Sequence, residues 1–469
     1  MLILLAALVV APAASAGGPY MMVGAADDVV LQHDPAAAQT ETGLARAAGL
    51  DTIRITAQWR PGLEQLPADD AASIGNAVAA AKADGIRIVL SLYPFGSSVT
   101  PLTEDARAQF AEWAADVVRR FPYVHDFIVG NEPNLNRFWL PQYGPNGEDA
   151  AAPAYEALLA QTYDAIKAVR PHSTVYGGAL APHGADNPQG SRPTHSPTAF
   201  ILDMGAAYRA SGREVPIMDA LAFHPYEDRS DLPPSFAHPN STSIGIADYD
   251  KLVALLGQAF DGTAQRGSTL PILYDEYGVE SQIPAVKAAL YTGTEPATIH
   301  PVDEATQAEY YREALQLTFC QPNVLGLLFF HFVDEKPRAA WQSGLYYVDG
   351  TPKASLAPTA AAIADTHRGV VAQCPALQLT PKLKLTPKQV APGRVTLTLT
   401  ASLDASYAVT LQRVGAAAGA TATGKALGGT AKLLHYRLHP GRYRWTATAT
   451  ALENAGPPAA ATSRTIVVR

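Results

Sequence analysis

At 469 residues the chain exceeds the roughly 250–300 residues over which a single hydrophobic core keeps growing, so at least two domains are expected. Hydrophobic residues make up 48% of it and charged residues 17%, a globular balance that excludes a disordered chain. The formal net charge of -8 argues against a nucleic-acid partner, which would call for Lys and Arg gathered on one face.

The chain opens on an apolar run, Met1 to Ala16, that closes on Ala14-Ser15-Ala16, the small-residue pattern a signal peptidase accepts. A signal peptide over residues 1–16, cleaved before Gly17, is expected, and with it a secreted, extracellular protein. The charged leader that should precede the run is missing, which leaves open a longer signal with an earlier start, or a buried strand. Beyond it nothing approaches about 18 consecutive apolar residues, so no membrane span is expected.

From Gly17 to about residue 375 short β-branched runs alternate with Ala-rich helical stretches, the signature of βαβ units around a parallel sheet. The predicted strands are Tyr20–Val23, Thr52–Thr56, Arg87–Leu92, Asp126–Val129, Thr174–Tyr176, Ala220–Phe223, Ile272–Tyr274 and Gly326–Phe330. Eight is the number of a (β/α)8 barrel. The clearest helix runs from Thr103 to Phe121, with Phe110, Trp113, Ala114, Val117, Val118 and Phe121 on one stripe, Thr103 as its cap, and Glu104 and Asp105 in its first turn. A second carries Tyr155, Leu158, Leu159, Ile166 and Val169 on one face and stops at Pro171, and a third spans Asp303 to Gln321. A doubly wound open sheet is the alternative, but Gly24-Ala25-Ala26-Asp27-Asp28 after the first strand is not a Gly-rich phosphate loop.

After Cys374 helical periodicity gives way to strict alternation, as in Val395-Thr396-Leu397-Thr398-Leu399 and Tyr443-Arg444-Trp445-Thr446. Residues 376–469 read as a small all-β sandwich following a barrel over 17–375, with Pro375 to Pro392 part linker and part first strand. Trp445 alternates like a core residue, which favours a spacer or packing role over a carbohydrate-binding one. Cys320 and Cys374 are the only cysteines; in an oxidising compartment a disulfide between them is expected, and two buried free thiols are the alternative.

In such a barrel the chemistry lies where strands end at the C-terminal face. Two strand ends carry carboxylates directly after an apolar run: Gly130-Asn131-Glu132-Pro133-Asn134 after the fourth, and Asp275-Glu276-Tyr277-Gly278 after the seventh. Burial there raises a carboxyl pKa, which suits an acid catalyst. With Arg54 in the second strand, His224-Pro225-Tyr226 after the sixth, and Trp341 to Leu345 and Asp349 to Lys353 after the eighth, the chain resembles the clan A glycoside hydrolases, of the family 5 or family 39 kind. The resemblance covers residues 20 to about 365.

That resemblance implies a secreted retaining hydrolase of O-glycosidic bonds, acting on an oligosaccharide, polysaccharide or glycoside substrate. Glu132 would be the general acid/base and Glu276 the nucleophile; Asn131 would contact the sugar, while Arg54 and Tyr226 would orient Glu276. His224 stays open between substrate contact and capping of neighbouring carbonyls. A metal site of His224 with Glu227 and Asp228 lacks further nearby ligands, so neither metal nor cofactor is expected. His183 is equally ambiguous. Trp59, Tyr93, Phe95, Trp139, Tyr143 and Trp341 can stack on sugar rings or pack in the core. Clan members place a Trp at the end of the eighth strand; this chain has Phe330-His331-Phe332 there, and Trp341 is the candidate to reach back. No Lys or Arg cluster near the site demands an acidic sugar. Two other readings remain: a catalytically silent carbohydrate-binding barrel, and a transglycosidase that uses the same covalent intermediate. A monomer is expected.

Overall fold

The computed structural model describes residues 17–469; the expected signal peptide lies outside the described residues. Eight parallel strands close into a barrel: β1 (Met22–Ala26), β2 (Thr52–Trp59), β3 (Arg87–Pro94), β4 (Asp126–Val129), β5 (Thr174–Leu180), β6 (Ala220–Phe223), β7 (Ile272–Tyr277) and β8 (Val324–Phe330). β8 pairs back onto β1, Met22 against Gly326. The helices α1 (Pro35–Ala47), α2 (Ala68–Asp84), α3 (Glu104–Arg120), α4 (Ala151–Val169), α5 (Pro197–Ser211), α6 (Tyr249–Phe260), α7 (Glu304–Phe319) and α8 (Leu356–Arg368) each follow one strand. This is a TIM barrel, whose right-handed crossovers bury both faces of every strand and so give apolar runs instead of alternation.

Two corrections apply to the strand ends. Tyr20 belongs to a 3-10 turn, Gly18–Tyr20, so the first strand begins at Met22. At the C-terminal face of the barrel several strands run past their apolar stretch into polar residues: β7 continues through Asp275 and Glu276 to Tyr277. Helix signals sit closer to their predicted places. Thr103 caps α3, its side chain accepting a bond from the Ala106 amide, an interaction worth about 1 kcal/mol, and Asp303 caps α7 in the same way.

The barrel interior is filled by alternate strand residues, among them Met22, Val89, Ile128, Tyr176, Ala222, Leu273 and Leu328. The complementary set, including Ile53, Leu90, Phe127, Leu221 and Leu327, packs outward on the helices.

The C-terminal part forms two antiparallel sheets. One has the order β13 (Ala431–Arg437), β10 (Arg394–Ala401), β9 (Leu383–Ala391). The other runs β12 (Ala420–Ala426), β11 (Ala405–Arg413), β14 (Gly441–Ala451), β15 (Ala459–Thr462), with β16 (Ile466–Val468) also on β14. Val395, Leu397, Leu399, Val409 and Trp445 fill the space between them, the inward set of each alternating strand. The two parts touch: Leu379, Leu403 and Ala451 join the same apolar cluster as Val371 and Cys374, and Arg368 meets Asp404 at 3.3 Å. Cys320, at the end of α7, is disulfide-bonded to Cys374.

Candidate active site

Strand geometry explains why carboxylates gather at the C-terminal face. β7 carries one residue more than β8 between Tyr274 and Tyr277, a bulge that breaks strict alternation and lets the consecutive Asp275 and Glu276 both reach Arg54 and His224. β5 has a second irregularity between Gly178 and Leu180, and the carbonyl of the intervening Ala179 accepts the amide of Glu132 at 2.8 Å. Gly130, φ +95°, turns the chain off β4; a Cβ there would stand 2.7 Å from the Tyr155 ring, so the turn needs glycine.

These turns bring seven of the sequence-predicted residues together. Arg54, buried in the pore, forms an ion pair with Glu276, lies 3.4 Å from Asp275, and donates to Asn131 Oδ1 at 2.8 Å and Ser91 Oγ at 3.2 Å. Tyr226 donates its hydroxyl to Glu276 Oε2 at 2.9 Å. His224 stands between three carboxylates, with Nδ1 2.9 Å from Glu132 Oε1 and 3.4 Å from Glu276 Oε2, and Nε2 3.3 Å from Asp275 Oδ2. His224 therefore bonds side chains and is not a cap on carbonyls. Trp341 reaches back to the mouth of the pore: its ring stacks at 5.0 Å on Tyr226 and meets Phe330 edge-on at 5.3 Å.

Burial works against charge on His224, but the Glu276 and Asp275 carboxylates and the bonds to Asp275 and Glu132 outweigh it and hold the imidazole at about 10. Burial likewise pushes Asp275 up, yet the His224 and Arg54 cations bring its carboxyl below the usual range. Burial, then the neighbouring Glu276 and Glu132, keep the Tyr226 hydroxyl protonated far above its ordinary value.

A cavity of about 800 Å³ opens over this cluster. Its wall includes Asn131, Glu132, Glu276, Tyr226 and Trp341, together with Asp27, Asp28, Tyr93, Arg137, His183, Glu227, His331 and Glu335. Several of these carried no motif. Asp27 binds the amides of Phe332 and Val333 at 3.0 and 3.2 Å and faces His331 at 3.4 Å. Against burial, Asp27 and Glu335 hold His331 at about 10, so it and Arg137 give the cavity cations that sequence reasoning missed. Their residues lie far apart in the chain, and no local pattern links them.

Trp59 and Trp139 are corrections. Neither lines the cavity. Trp59 is buried against Phe110, its indole N–H given to the Leu63 carbonyl at 2.8 Å, and Trp139 is buried edge-on against Tyr155. Both lie on the outer, helix-facing side, where a large apolar ring fills the layer between strand and helix. Tyr143 packs on His195, and Phe95 lies under Arg60.

Glu132, His224 and Glu276 are the one set among the described residues to bring three ligand-type atoms within 4.8 Å of one another. A metal ligand must offer a lone pair, and His224, protonated at neutral pH and turned to carboxylates on both sides, offers none. The arrangement is two carboxylates, Glu132 and Glu276, that share the His224 cation at the floor of one cavity.

Among known proteins, no family model and no curated protein matches the chain. Solved structures do. A glucosidase from Croceicoccus marinus is similar at 11% identity and TM-score 0.53, over 90% of this chain and 94% of that one. A β-glucuronidase 2 from Bacteroides uniformis, covalently bound to cyclophellitol-6-carboxylate aziridine, is similar at 14% identity and TM-score 0.48, over 96% of this chain. An exo-β-1,4-mannosidase from an Opitutaceae bacterium is similar at 15% identity and TM-score 0.45, over 77% of this chain and 61% of that one. The present chain spans 46% of the glucuronidase's length. At these identities the likeness is one of fold, and the fold is that of proteins described as glycoside hydrolases.

Proposed function

We propose that the chain is a retaining glycoside hydrolase that acts on a carbohydrate substrate, with Glu132 as general acid/base and Glu276 as nucleophile. The observation that carries this reading is the approach of the two carboxylates, one oxygen of each within 4.8 Å of the other, on neighbouring sides of a single cavity. Retaining enzymes hold their carboxyls about 5–5.5 Å apart, whereas inverting ones leave about 6.5–9.5 Å for a water.

In the first step Glu276 forms a bond to the anomeric carbon while the bond to the leaving oxygen breaks, and Glu132 gives that oxygen a proton. In the second, water attacks the same carbon, Glu132 takes its proton, and Glu276 leaves. Arg54 and the Tyr226 hydroxyl hold the Glu276 oxygens in place for attack. The proton for the first step is at hand on His224, 2.9 Å from Glu132 Oε1. Loss of the Glu276 charge on glycosylation removes the largest attraction holding that proton on the imidazole, so the second step begins with a weaker acid-binding site.

Export belongs to the same proposal. The apolar leader and the Cys320–Cys374 disulfide, a bond that persists in oxidising compartments, both support it.

The test is turnover of a panel of aryl β-glycosides by residues 17–469 and by Glu132→Ala and Glu276→Ala, with azide as an external nucleophile. Loss of activity in Glu276→Ala, with azide restoring turnover to an α-glycosyl azide, is the expected result. Retained activity in Glu276→Ala overturns the nucleophile, and glycan binding without any turnover turns the reading to a silent binding barrel.

A further inference from the structure

We propose that Glu335 is a positioning residue: it sets the Trp341 indole against Tyr226 in the cavity wall and so fixes a flat face on which a sugar ring can lie. The inference rests on the glycosidase reading for the sugar, and on bonds within this chain for the placement.

β8 ends on Phe330, and the chain passes through His331 to Glu335 before an excursion of residues 336–340 returns it to Trp341. Both backbone polar groups of Trp341 are bonded, and both to Glu335. The Trp341 amide donates to Glu335 Oε2 at 3.0 Å, and the Glu335 amide donates to the Trp341 carbonyl at 2.9 Å. The excursion itself is tied elsewhere: the Lys336 carbonyl accepts the Thr292 amide at 3.0 Å, and the Arg338 amide donates to the Thr292 carbonyl at 2.8 Å. The Glu335 carboxylate is therefore not what holds the loop to the barrel, and its bond bears on Trp341.

The carboxylate is held from behind. His331 Nε2 lies 3.7 Å from Glu335 Oε2, and His331 Nδ1 lies 3.4 Å from Asp27, whose second oxygen accepts the Phe332 and Val333 amides. The His331 imidazolium and the Trp341 amide keep the Glu335 carboxyl below its usual range against the effect of burial. The acceptor is thus a carboxylate, and a bond to a charged acceptor is about twice as strong as a neutral one.

What this fixes is a ring. The Trp341 indole packs on Tyr226 with centroids 5.0 Å apart, meets Phe330 edge-on at 5.3 Å, lines the cavity and stays half-buried. Its flat surface matches the apolar face of a sugar. Such a surface contributes most when it is ordered before the sugar arrives, because binding then does not have to order it. Since the Tyr226 hydroxyl is bonded to Glu276 at 2.9 Å, the face stands beside that carboxylate.

The test compares residues 17–469 with Glu335→Ala, Glu335→Gln, Trp341→Ala and the double variant Glu335→Ala/Trp341→Ala, on the aryl β-glycoside that wild type cleaves best. Glu335→Ala is expected to raise KM about 3- to 10-fold while kcat changes less than about two-fold, the mark of lost binding with the chemistry intact. Glu335→Gln keeps an acceptor for the Trp341 amide and should restore most of the KM. With no indole to place, Glu335→Ala should add nothing to Trp341→Ala. Acrylamide quenching reads the placement directly. Trp59, Trp113, Trp139 and Trp445 are buried, so extra quenching that Glu335→Ala causes in wild type and not in Trp341→Ala belongs to Trp341.

A further rise of KM in the double variant would overturn positioning in favour of direct contact between Glu335 and substrate. Unchanged KM or unchanged quenching in Glu335→Ala would overturn it outright. Each of these results leaves the glycosidase reading standing wherever Glu276→Ala abolishes turnover. If wild type cleaves no glycoside, that reading falls, and the quenching comparison decides the placement of Trp341 by itself.

Discussion

Replacing His224 with asparagine removes the imidazolium that Glu132, Asp275 and Glu276 share at 2.9, 3.3 and 3.4 Å. His224 is fully buried, so solvent does little to screen the loss. An imidazole carried from 6.5 to about 10 on folding contributes roughly 5 kcal/mol, at about 1.4 kcal/mol per pH unit. Because the folded value is the higher one, that contribution is complete below pH 6.5 and is lost as pH rises towards about 10. Urea unfolding of wild type and His224→Asn, followed at intervals across this window, should therefore converge, the gap between them shrinking by about 1.4 kcal/mol per pH unit. His331 titrates in the same range but is present in both proteins and cancels. Parallel stability curves would refute the claim that a charged His224 holds the carboxylates together.

Tyr226→Phe removes the hydroxyl 2.9 Å from Glu276, a bond to a charged group worth about 1.5–3 kcal/mol, so kcat/KM on any glycoside that wild type cleaves should fall about 10- to 150-fold. Lys353→Met leaves Asp334 buried without the ammonium now 2.7 Å away, at a cost of about 3–5 kcal/mol read by denaturant unfolding. Since Lys353 also binds the Gln342 carbonyl at 2.9 Å, the same change should free the neighbouring Trp341 and red-shift its fluorescence. Cys320→Ser with Cys374→Ser opens a link across 54 residues, and chain entropy sets the expected loss of stability at about 4 kcal/mol, which a reducing agent should reproduce in wild type.

The barrel was legible because each strand, covered on both faces, reads as an apolar run, and because capped helices such as α3 announce their ends. Glu132 and Glu276 were legible because a carboxylate straight after such a run is unusual. The other wall of the cavity was not. Asp27, His331 and Glu335 act together through contacts between β1 and the loop after β8, about 300 residues apart in the chain. Trp59 and Trp139 failed for a related reason: an aromatic near a strand end looks the same in sequence whether it faces pore or helix, and a bulge or turn decides which. Trp341 could be suspected only because Phe330 stands where a tryptophan was expected.

The bulges and turns also explain how a rigid barrel holds Glu132 and Glu276 so close. Glu132 has φ +40° and Ala179 φ +47°, backbone conformations that cost a residue with a side chain roughly 1–3 kcal/mol each. They persist because neighbouring bonds over-determine them. Tyr155 on α4 donates its hydroxyl to the Val129 carbonyl and accepts the Gly178 amide, both at 2.6 Å, so a single helix residue ties the end of β4 to the end of β5. The Glu132 amide is then bound by Ala179 across the same seam. In the sequence Tyr155 is one more apolar member of a helical stripe, yet its hydroxyl secures the turn that holds Glu132 close to Glu276. Burial of the ring and placement of the carboxylate are thus one structural requirement, and a phenylalanine at 155 would satisfy the core while leaving the strained turn without its brace.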